Sequence, residues 1–570
     1  MPTAPSSQHG SGSAQRPASP ARRVDDLVDR RVRAVHGSLT ALGRRIDPRF
    51  AAAAALTVVV LVAAAVIVAN VRTQWFIYDE FDYLAPPEGA GWLGWLIAPH
   101  NEHTILFTKL WFSTLYSVIG LKGYVIYAVP MIVCHLAGGV AVYKLMRLVI
   151  PSRAIAVAAV APIALMAAGA GTLTWAGQFQ YTAATTAGLW LLFVALTSRL
   201  GGRTQWILAI ALSLFGTFSG SAFIPLGVAA GFALISLRRY LLGAVVGLIP
   251  AVWFVLVRVF WDIPSGNGAT GIVQILQEGP EFVFALLNKA VSDTIPVSGS
   301  FTSVVMVVSV LGVVAFLAVR TSTIELPRAR RTYLFLLVAL TLSLVITMIG
   351  RLSRNVADSA SGGYSYFILI AAIPIFVLSI ARFGAKTRIA TTLIVLVLLG
   401  WAAVGSAALT TTSQGLAGWK SENAKLLTSS AYLAQNGFET ASDAAPSPVQ
   451  APMITWSDIE DILAEGRIQP AEPSQLTQDE ISLQVQWVVE EPETGVAIAC
   501  AVLPSHETTA LTADAPVVLE SASSTQVTLE YPTSPASRAL DISDTRLELD
   551  SVAGRDATLT SGDQAVTVCR

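Results

Sequence analysis

At 570 residues, 53% of them apolar and 13% charged, with a mean hydropathy of +0.60, the chain is too apolar to be a water-soluble globule. The net charge of −1 says little by itself, because the charges are segregated along the sequence and none of their clusters points to nucleic acid. Of the three cysteines, Cys134 lies in an apolar run, whereas Cys500 and Cys569 lie in the polar C-terminal region and can pair only if that region is oxidised.

Residues 1–21 are rich in Ser, Pro, Gly and Ala and are expected to be disordered. Residues 22–49 carry eight Arg and four Asp with interleaved apolar positions, the pattern of a surface helix on anionic lipid. The apolar run at 51–70 starts too late for a secretory signal and is long enough to span a membrane, so it reads as a signal anchor with residues 1–49 cytoplasmic. Further apolar runs fall near 123–143, 154–171, 182–198, 205–220, 221–237, 241–261, 302–319, 332–349, 364–381 and 389–410, giving about eleven spans in a polytopic α-helical membrane domain over 50–410.

The segment 104–121 is ambiguous, and charge decides it. If it lies along the membrane surface as a juxtamembrane helix, the loops 144–153, 199–203, 238–239, 320–331 and 382–388 share one side and hold fourteen Lys and Arg. The loops on the other side, with 104–122 left aside, are poor in basic residues and include Lys289, Arg351 and Arg354. The positive-inside rule then puts the basic side in the cytoplasm and the C-terminal region outside. The polar-aromatic stretches 75–104, 174–182, 262–300 and 350–366 all land on the extracytoplasmic side, which suggests one composite site. In 262–300, a glycine-rich start lacking the ending of a phosphate-binding P-loop precedes IVQILQEGPEFVFALLNKAV at helical spacing, expected as an amphipathic helix on the bilayer.

Beyond 410 the composition changes. Residues 411–436 read as a helical linker, with a short helix at 456–464. The runs ISLQVQWVV, GVAIACAVL, APVVLES, TQVTLEYP, TRLELDS and QAVTVC then alternate apolar and polar residues between Ser, Thr, Pro and Asp, as in a small β-sandwich. A Cys500–Cys569 disulfide would tie its last strand to a central one.

The most unusual stretch is WFIYDEFDYLAPPEGAGWLGWLIAPHNEHT, residues 75–104. It holds Asp79, Glu80, Asp82, Glu88 and Glu102, two of the six histidines (His100 and His103), and no Lys or Arg. A connector needs only solubility; acids and imidazoles among aromatics suit proton transfer, metal ligation or sugar binding. A half-shielded carboxylate at the lipid–water boundary gains proton affinity and can accept a proton from a hydroxyl. An acidic loop that merely trails a span is the plain alternative. His100 and His103 stand three apart, without the five-residue spacing of a zinc helix, so a metal role and a polar helix cap weigh about equally.

An acidic pair directly after the first span, then a juxtamembrane helix, then about ten more spans, resembles the GT-C membrane glycosyltransferases. The PHNEH segment at 99–103 is similar to the segment after that pair in many bacterial members. The resemblance covers roughly 50–410 and implies a catalytic first outer loop at 73–122, with Asp79, and Glu80 beside it, as the base that activates an acceptor hydroxyl. It implies a sugar donor carried on a polyprenyl phosphate, and some relatives use a divalent ion, for which Asp79, Glu80, His100 and His103 are candidates. No other cofactor is expected.

A late outer-loop arginine in such enzymes meets the donor phosphate, and Arg351 or Arg354 fits that position; guanidinium forks match phosphate oxygens and stay charged. Arg258 is a further phosphate candidate, or a partner for Asp262. Asp82, His100, Glu102, His103, Trp175, Gln178, Gln180 and Tyr364 are candidates for acceptor or sugar binding, with Tyr181 and Tyr366 nearby; interfacial anchoring explains the aromatics equally well. The expected function is therefore transfer of a sugar to a cell-envelope glycan or lipid at the plasma membrane. A lipid-linked sugar flippase is the first rival, though few ionisable residues fall within the spans. A non-catalytic scaffold with a glycan-binding β-domain (residues 411–570) is the second.

Overall fold

The computed structural model describes residues 47–261 except 88, 102 and 198, then 272–294, 327–352, 362–384, 387–435, 445–447, 451–471 and the strands between 500 and 569. The chain enters on α1 (Pro48–Val71), then makes a 3-10 turn at Tyr78–Tyr83 and two short helices, α2 (Trp92–Ile97) and α3 (Leu106–Ile119). Next come α4 (Tyr124–Met146), a broken run of α5 (Arg153–Ala158), α6 (Ala161–Ala164) and α7 (Ala170–Leu173), and then α8 (Phe179–Leu196). The series continues with α9 (Gly202–Ser219), α10 (Ile224–Ser236), α11 (Tyr240–Phe260), α12 (Ile272–Thr294), α13 (Pro327–Arg351), α14 (Gly362–Gly384), α15 (Arg388–Gln435) and α16 (Trp456–Ala464).

Among the described residues, seven helices are long and apolar enough to cross a membrane: α1, α4, α8, α11, α13, α14 and α15. The broken run α5–α7 makes an eighth if its two parts, bent by 43°, count as one span. The runs expected at 205–220 and 221–237 are helical but fall outside this set. In α9, Arg203, Thr204 and Gln205 open the helix with polar groups, and α10 is only 13 residues long. The run 302–319 lies outside the described residues, as does the strand expected at 481–489. Segment 104–121 forms the short α3, and 272–291 forms α12, which buries Phe282, Leu286, Leu287 and Ala290 while exposing Val273 and Leu276.

Burial separates central from lipid-facing spans. Of the apolar window of α8, 83% is buried and of α14 78%, against 28% in α15. Lipid tails are as apolar as leucine, so helices associate through close backbone approach and interhelical hydrogen bonds. Both are present around α8: a Cβ on Gly188 would stand 2.4 Å from Leu226 Cβ, and one on Gly138 2.7 Å from Thr186 Oγ1. Thr186 Oγ1 donates to the Cys134 carbonyl, and Trp190 Nε1 to that of Ala137.

α15 runs unbroken for 48 residues, straight through position 410 where the composition changes. The predicted short helix is α16, opened by a Thr455–Asp458 capping box. Among the described residues beyond 500, two four-stranded antiparallel sheets form, in strand order β1-β8-β3-β6 and β2-β7-β4-β5. Here β1 is Cys500–Leu503, β2 Thr508–Leu511, β3 Val517–Glu520, β4 Thr525–Glu530, β5 Ser537–Ile542, β6 Leu547–Leu549, β7 Ala557–Ser561 and β8 Val566–Cys569. The register sets Cys500 directly opposite Cys569, although the side chains of both lie outside the described residues.

The turn after α16 meets the end of α3. Leu121 N donates to the Arg467 carbonyl at 2.7 Å, and the Arg467 guanidinium sits 4.5 Å from the Tyr116 ring. Gly120 has φ +62°, and a Cβ there would stand 2.3 Å from that same carbonyl oxygen. Both the left-handed backbone and the backbone neighbour penalise a side chain. Gly120→Ala is expected to lower stability by about 2 kcal/mol. Thermal unfolding in detergent checks it; an unchanged midpoint would mean that the 120–467 contact does not form.

Candidate functional site

The site begins where α1 ends. Trp75, Phe76 and Ile77 lead into the 3-10 turn, and Phe76 fixes the entry by edge contacts to Tyr124 at 4.9 Å and Tyr127 at 4.8 Å. In a 3-10 helix residues three apart eclipse. Ile77, Glu80 and Tyr83 therefore share the buried edge, while Asp79 and Asp82 share the other. Tyr78 holds φ +45°, a left-handed conformation that a bulky side chain adopts only when its surroundings enforce it.

His100 and His103 close a two-residue hairpin: each backbone N–H donates to the other's carbonyl, at 2.8 and 3.0 Å. Asn101 at the turn has φ +53°, which asparagine tolerates better than most residues. The His100 ring stands edge-on to Tyr83 and between the two acids. Its Nε2 lies 3.4 Å from Asp79 Oδ2 without hydrogen-bond alignment, and its Nδ1 lies 3.9 Å from Asp82 Oδ2. Burial raises the proton affinity of Asp82, and the charge of His100 opposes that rise. His103 Nδ1 meets Ser221 Oγ at 2.9 Å. Behind the hairpin, Lys109 Nζ donates to the carbonyls of Trp95 and Ala98, capping α2, and burial pulls its pKa down to about 8.

These groups open onto a cavity of about 430 Å³. Asp79, His100 and His103 line it together with Trp175 and Gln178 from just before α8, Gln180 and Tyr181 from its start, Arg351 from the end of α13 and Tyr364 from the start of α14. Asn101, Gly171, Thr172 and Gly363, which sequence reasoning did not single out, complete the lining. Arg351 lies with its guanidinium 5.4 Å from the Tyr364 ring. Residues far apart in sequence thus meet around one space.

Several expectations need correction or fall outside the described residues. Glu80 does not reach the cavity: it is fully buried, and its carboxylate is taken up by three donors. Its Oε1 accepts from Tyr124 Oη and Gly177 N, both at 2.8 Å, and its Oε2 from Ile77 N at 3.1 Å. Burial pushes its pKa up to about 7 against the opposing charge of Lys420. It is therefore a buried anchor rather than a second acid at the site. Tyr366 is buried too and meets His135 Nδ1 at 2.9 Å. Glu102, Arg354 and the Arg258 side chain lie outside the described residues.

Four lining residues each carry a buried polar atom with no hydrogen-bond partner: His100 Nε2, Thr172 Oγ1, Trp175 Nε1 and Gln178 Oε1. Each such orphan costs about 1–3 kcal/mol unless water or a bound group meets it. One atom each from Asp79, Asp82 and His100 lie within 4.8 Å of one another, a carboxylate–carboxylate–imidazole set that suits a hard divalent cation. Among the four candidate ligands read from sequence, Asp79 and His100 belong to this set and Glu80 and His103 do not.

The sequence matches no family model and no curated protein. Among solved structures, the chain is similar to the crystal structure of ArnT from Cupriavidus metallidurans bound to undecaprenyl phosphate, at 16% identity and a TM-score of 0.41, over 68% of this chain and 81% of that one.

Replacing an orphaned polar group by an apolar one of similar shape removes a desolvation penalty. Gln178→Met is therefore expected to leave the thermal midpoint unchanged or raised while weakening any ligand of the cavity. A clear drop in the midpoint would mean that Gln178 Oε1 has a structural partner.

Proposed function

We propose that the chain is a membrane glycosyltransferase of GT-C type, moving a sugar from a polyprenyl-phosphate donor to a glycan or lipid acceptor on the extracytoplasmic face. The supporting observation is a carboxylate, two imidazoles, a guanidinium and an aromatic–amide wall on one cavity at the ends of apolar helices. A sugar presents hydroxyls to amides and an apolar face to tryptophan, and a phosphate presents oxygens to arginine.

The reaction is a single displacement. The acceptor oxygen attacks the anomeric carbon, the bond from that carbon to the phosphate oxygen breaks, and the acceptor's proton passes to the Asp79 carboxylate. Arg351 offsets the charge that builds on the departing polyprenyl phosphate. His100 stands beside Asp79, and Trp175, Gln178, Gln180 and Tyr364 seat the sugar. A divalent cation bound by Asp79, Asp82 and His100 would supply positive charge that orients the acceptor hydroxyl. A donor delivered by lipid fits a site on the extracytoplasmic side, because nucleotide sugars are confined to the cytoplasm. The flippase reading would need ionisable groups exposed along a path through the spans; the buried imidazole His135 is instead engaged at both nitrogens, by Tyr366 and the Ala164 carbonyl.

Asp79→Asn, assayed on purified protein with a polyprenyl-phosphate sugar, is expected to slow transfer about 10²–10⁴-fold while donor binding persists. Transfer at the wild-type rate would remove Asp79 as the base. Arg351→Ala is expected to weaken the donor's productive binding more than the acceptor's.

The same orientation exports the C-terminal sheets, and the opposed Cys500 and Cys569 then form a disulfide. Thiol labelling of intact cells is expected to modify both only after reduction. Labelling of either without reductant would argue against the bridge.

A further inference from the structure

Three cavity-lining residues, Asp79, Trp175 and Gln178, come from two backbone segments, 76–80 of the first loop and 174–178 before α8, whose only regular structure is a short 3-10 turn in each. What joins them is a buried polar network. Glu80 Oε1 takes hydrogen bonds from Gly177 N and from Tyr124 Oη, which itself accepts from Ala176 N at 2.8 Å. A Cβ on Gly177 would stand 3.0 Å from Glu80 Cγ, so the two segments touch without room for a side chain.

The second half of the network comes from α15, beyond its apolar stretch, in a region whose sequence reads as a linker. Lys420 Nζ donates to the Thr174 carbonyl at 3.0 Å and lies 5.8 Å from the Tyr124 ring; it is buried, and its charge acts on Glu80. One turn on, Asn423 Nδ2 donates to the Phe76 carbonyl at 2.8 Å. Earlier on the helix, Ser413 receives Gln74 Nε2 at both its carbonyl and its hydroxyl, and Thr410 receives Asn70 Nδ2. Trp419 packs its ring 5.3 Å from Tyr78, next to Asp79.

We propose that Lys420 and Asn423, acting with Glu80, are positioning residues that lock segments 76–80 and 174–178 together and so set Asp79 against Trp175 and Gln178. The catalytic unit thereby extends past the membrane domain to about residue 426, and the trailing helix is part of its frame. Burial isolates the Lys420 ammonium from water, and only Glu80 among the described residues shares that pocket as a countercharge. Removing either partner strands the other. Because transfer depends on sub-ångström placement, a loosened frame costs turnover more than affinity.

The inference rests on the transferase reading for its kinetic test, and a second readout is independent of it. Lys420→Met, Glu80→Gln, the double variant, the milder Asn423→Ala and the control Gly120→Ala, which strains the 120–467 contact instead, are made in the full chain in detergent. Expected are non-additive losses of thermal midpoint for Lys420→Met and Glu80→Gln, with the double variant no worse than the poorer single. With polyprenyl-phosphate sugar, Asn423→Ala and Lys420→Met are expected to lose at least about tenfold in kcat with donor KM changed less than about threefold, while Gly120→Ala keeps its kcat. Additive midpoint shifts, or a kcat kept by Asn423→Ala and Lys420→Met as it is by the control, overturn the proposal. If the wild type transfers no sugar, the reading under Proposed function fails, and the frame is tested instead by maleimide labelling of a Thr172→Cys variant. Rates altered by Asn423→Ala and not by Gly120→Ala then support the lock, and equal rates overturn it.

Discussion

A buried carboxylate is the constraint on which the site depends. Glu80 sits out of water with three hydrogen-bond donors and one buried ammonium about it. An isolated carboxylate in such a place would take up a proton or force the fold open. Each donor therefore fixes the segment it belongs to: Ile77 the loop, Gly177 the approach to α8, and Tyr124 the start of α4. The strained Tyr78 backbone, held between these points, turns Asp79 away from its neighbour and into the cavity.

Around that anchor the chain treats its polar groups in two ways. Within the apolar spans, small residues and a few hydroxyls bring helices together, and polar groups such as His135 are satisfied by neighbours. At the helix ends beside Asp79, several polar atoms have no partner. His135 is satisfied deep in the bundle, whereas Trp175 Nε1 and Gln178 Oε1 at the cavity have no hydrogen-bond partner. Sugar and phosphate are the chemistry that an acid, an arginine and an aromatic–amide wall would accept together.

Much of this was legible beforehand. Hydropathy located the main spans, because twenty apolar residues in water have no other stable use. The short helix at 456–464 carried its own start signal in Thr455 and Asp458, and β-branched alternation marked several of the C-terminal strands. The polar-aromatic stretches were also visible, and eight of the site residues named from them meet at the cavity: Asp79, His100, His103, Trp175, Gln178, Gln180, Arg351 and Tyr364. Their composition gave them away, since acids and imidazoles among aromatics exceed what a merely soluble connector needs.

By itself, then, the sequence determined the membrane class, the approximate places of the helices and most of the residues that line the cavity, all of which come from local pattern and from solvent preference. It could not determine which of two adjacent acids faces the cavity, because that depends on a 3-10 turn whose eclipsed edges pair 79 with 82 and 80 with 83. Nor could it assign Lys420 and Asn423 to the frame of the site: a lysine and an asparagine on a polar helix face look the same whether they meet water or a buried carboxylate and a carbonyl. Only tertiary packing brought α15 back against the first loop, and the desolvation it imposes is what turned those ordinary side chains into structural ones.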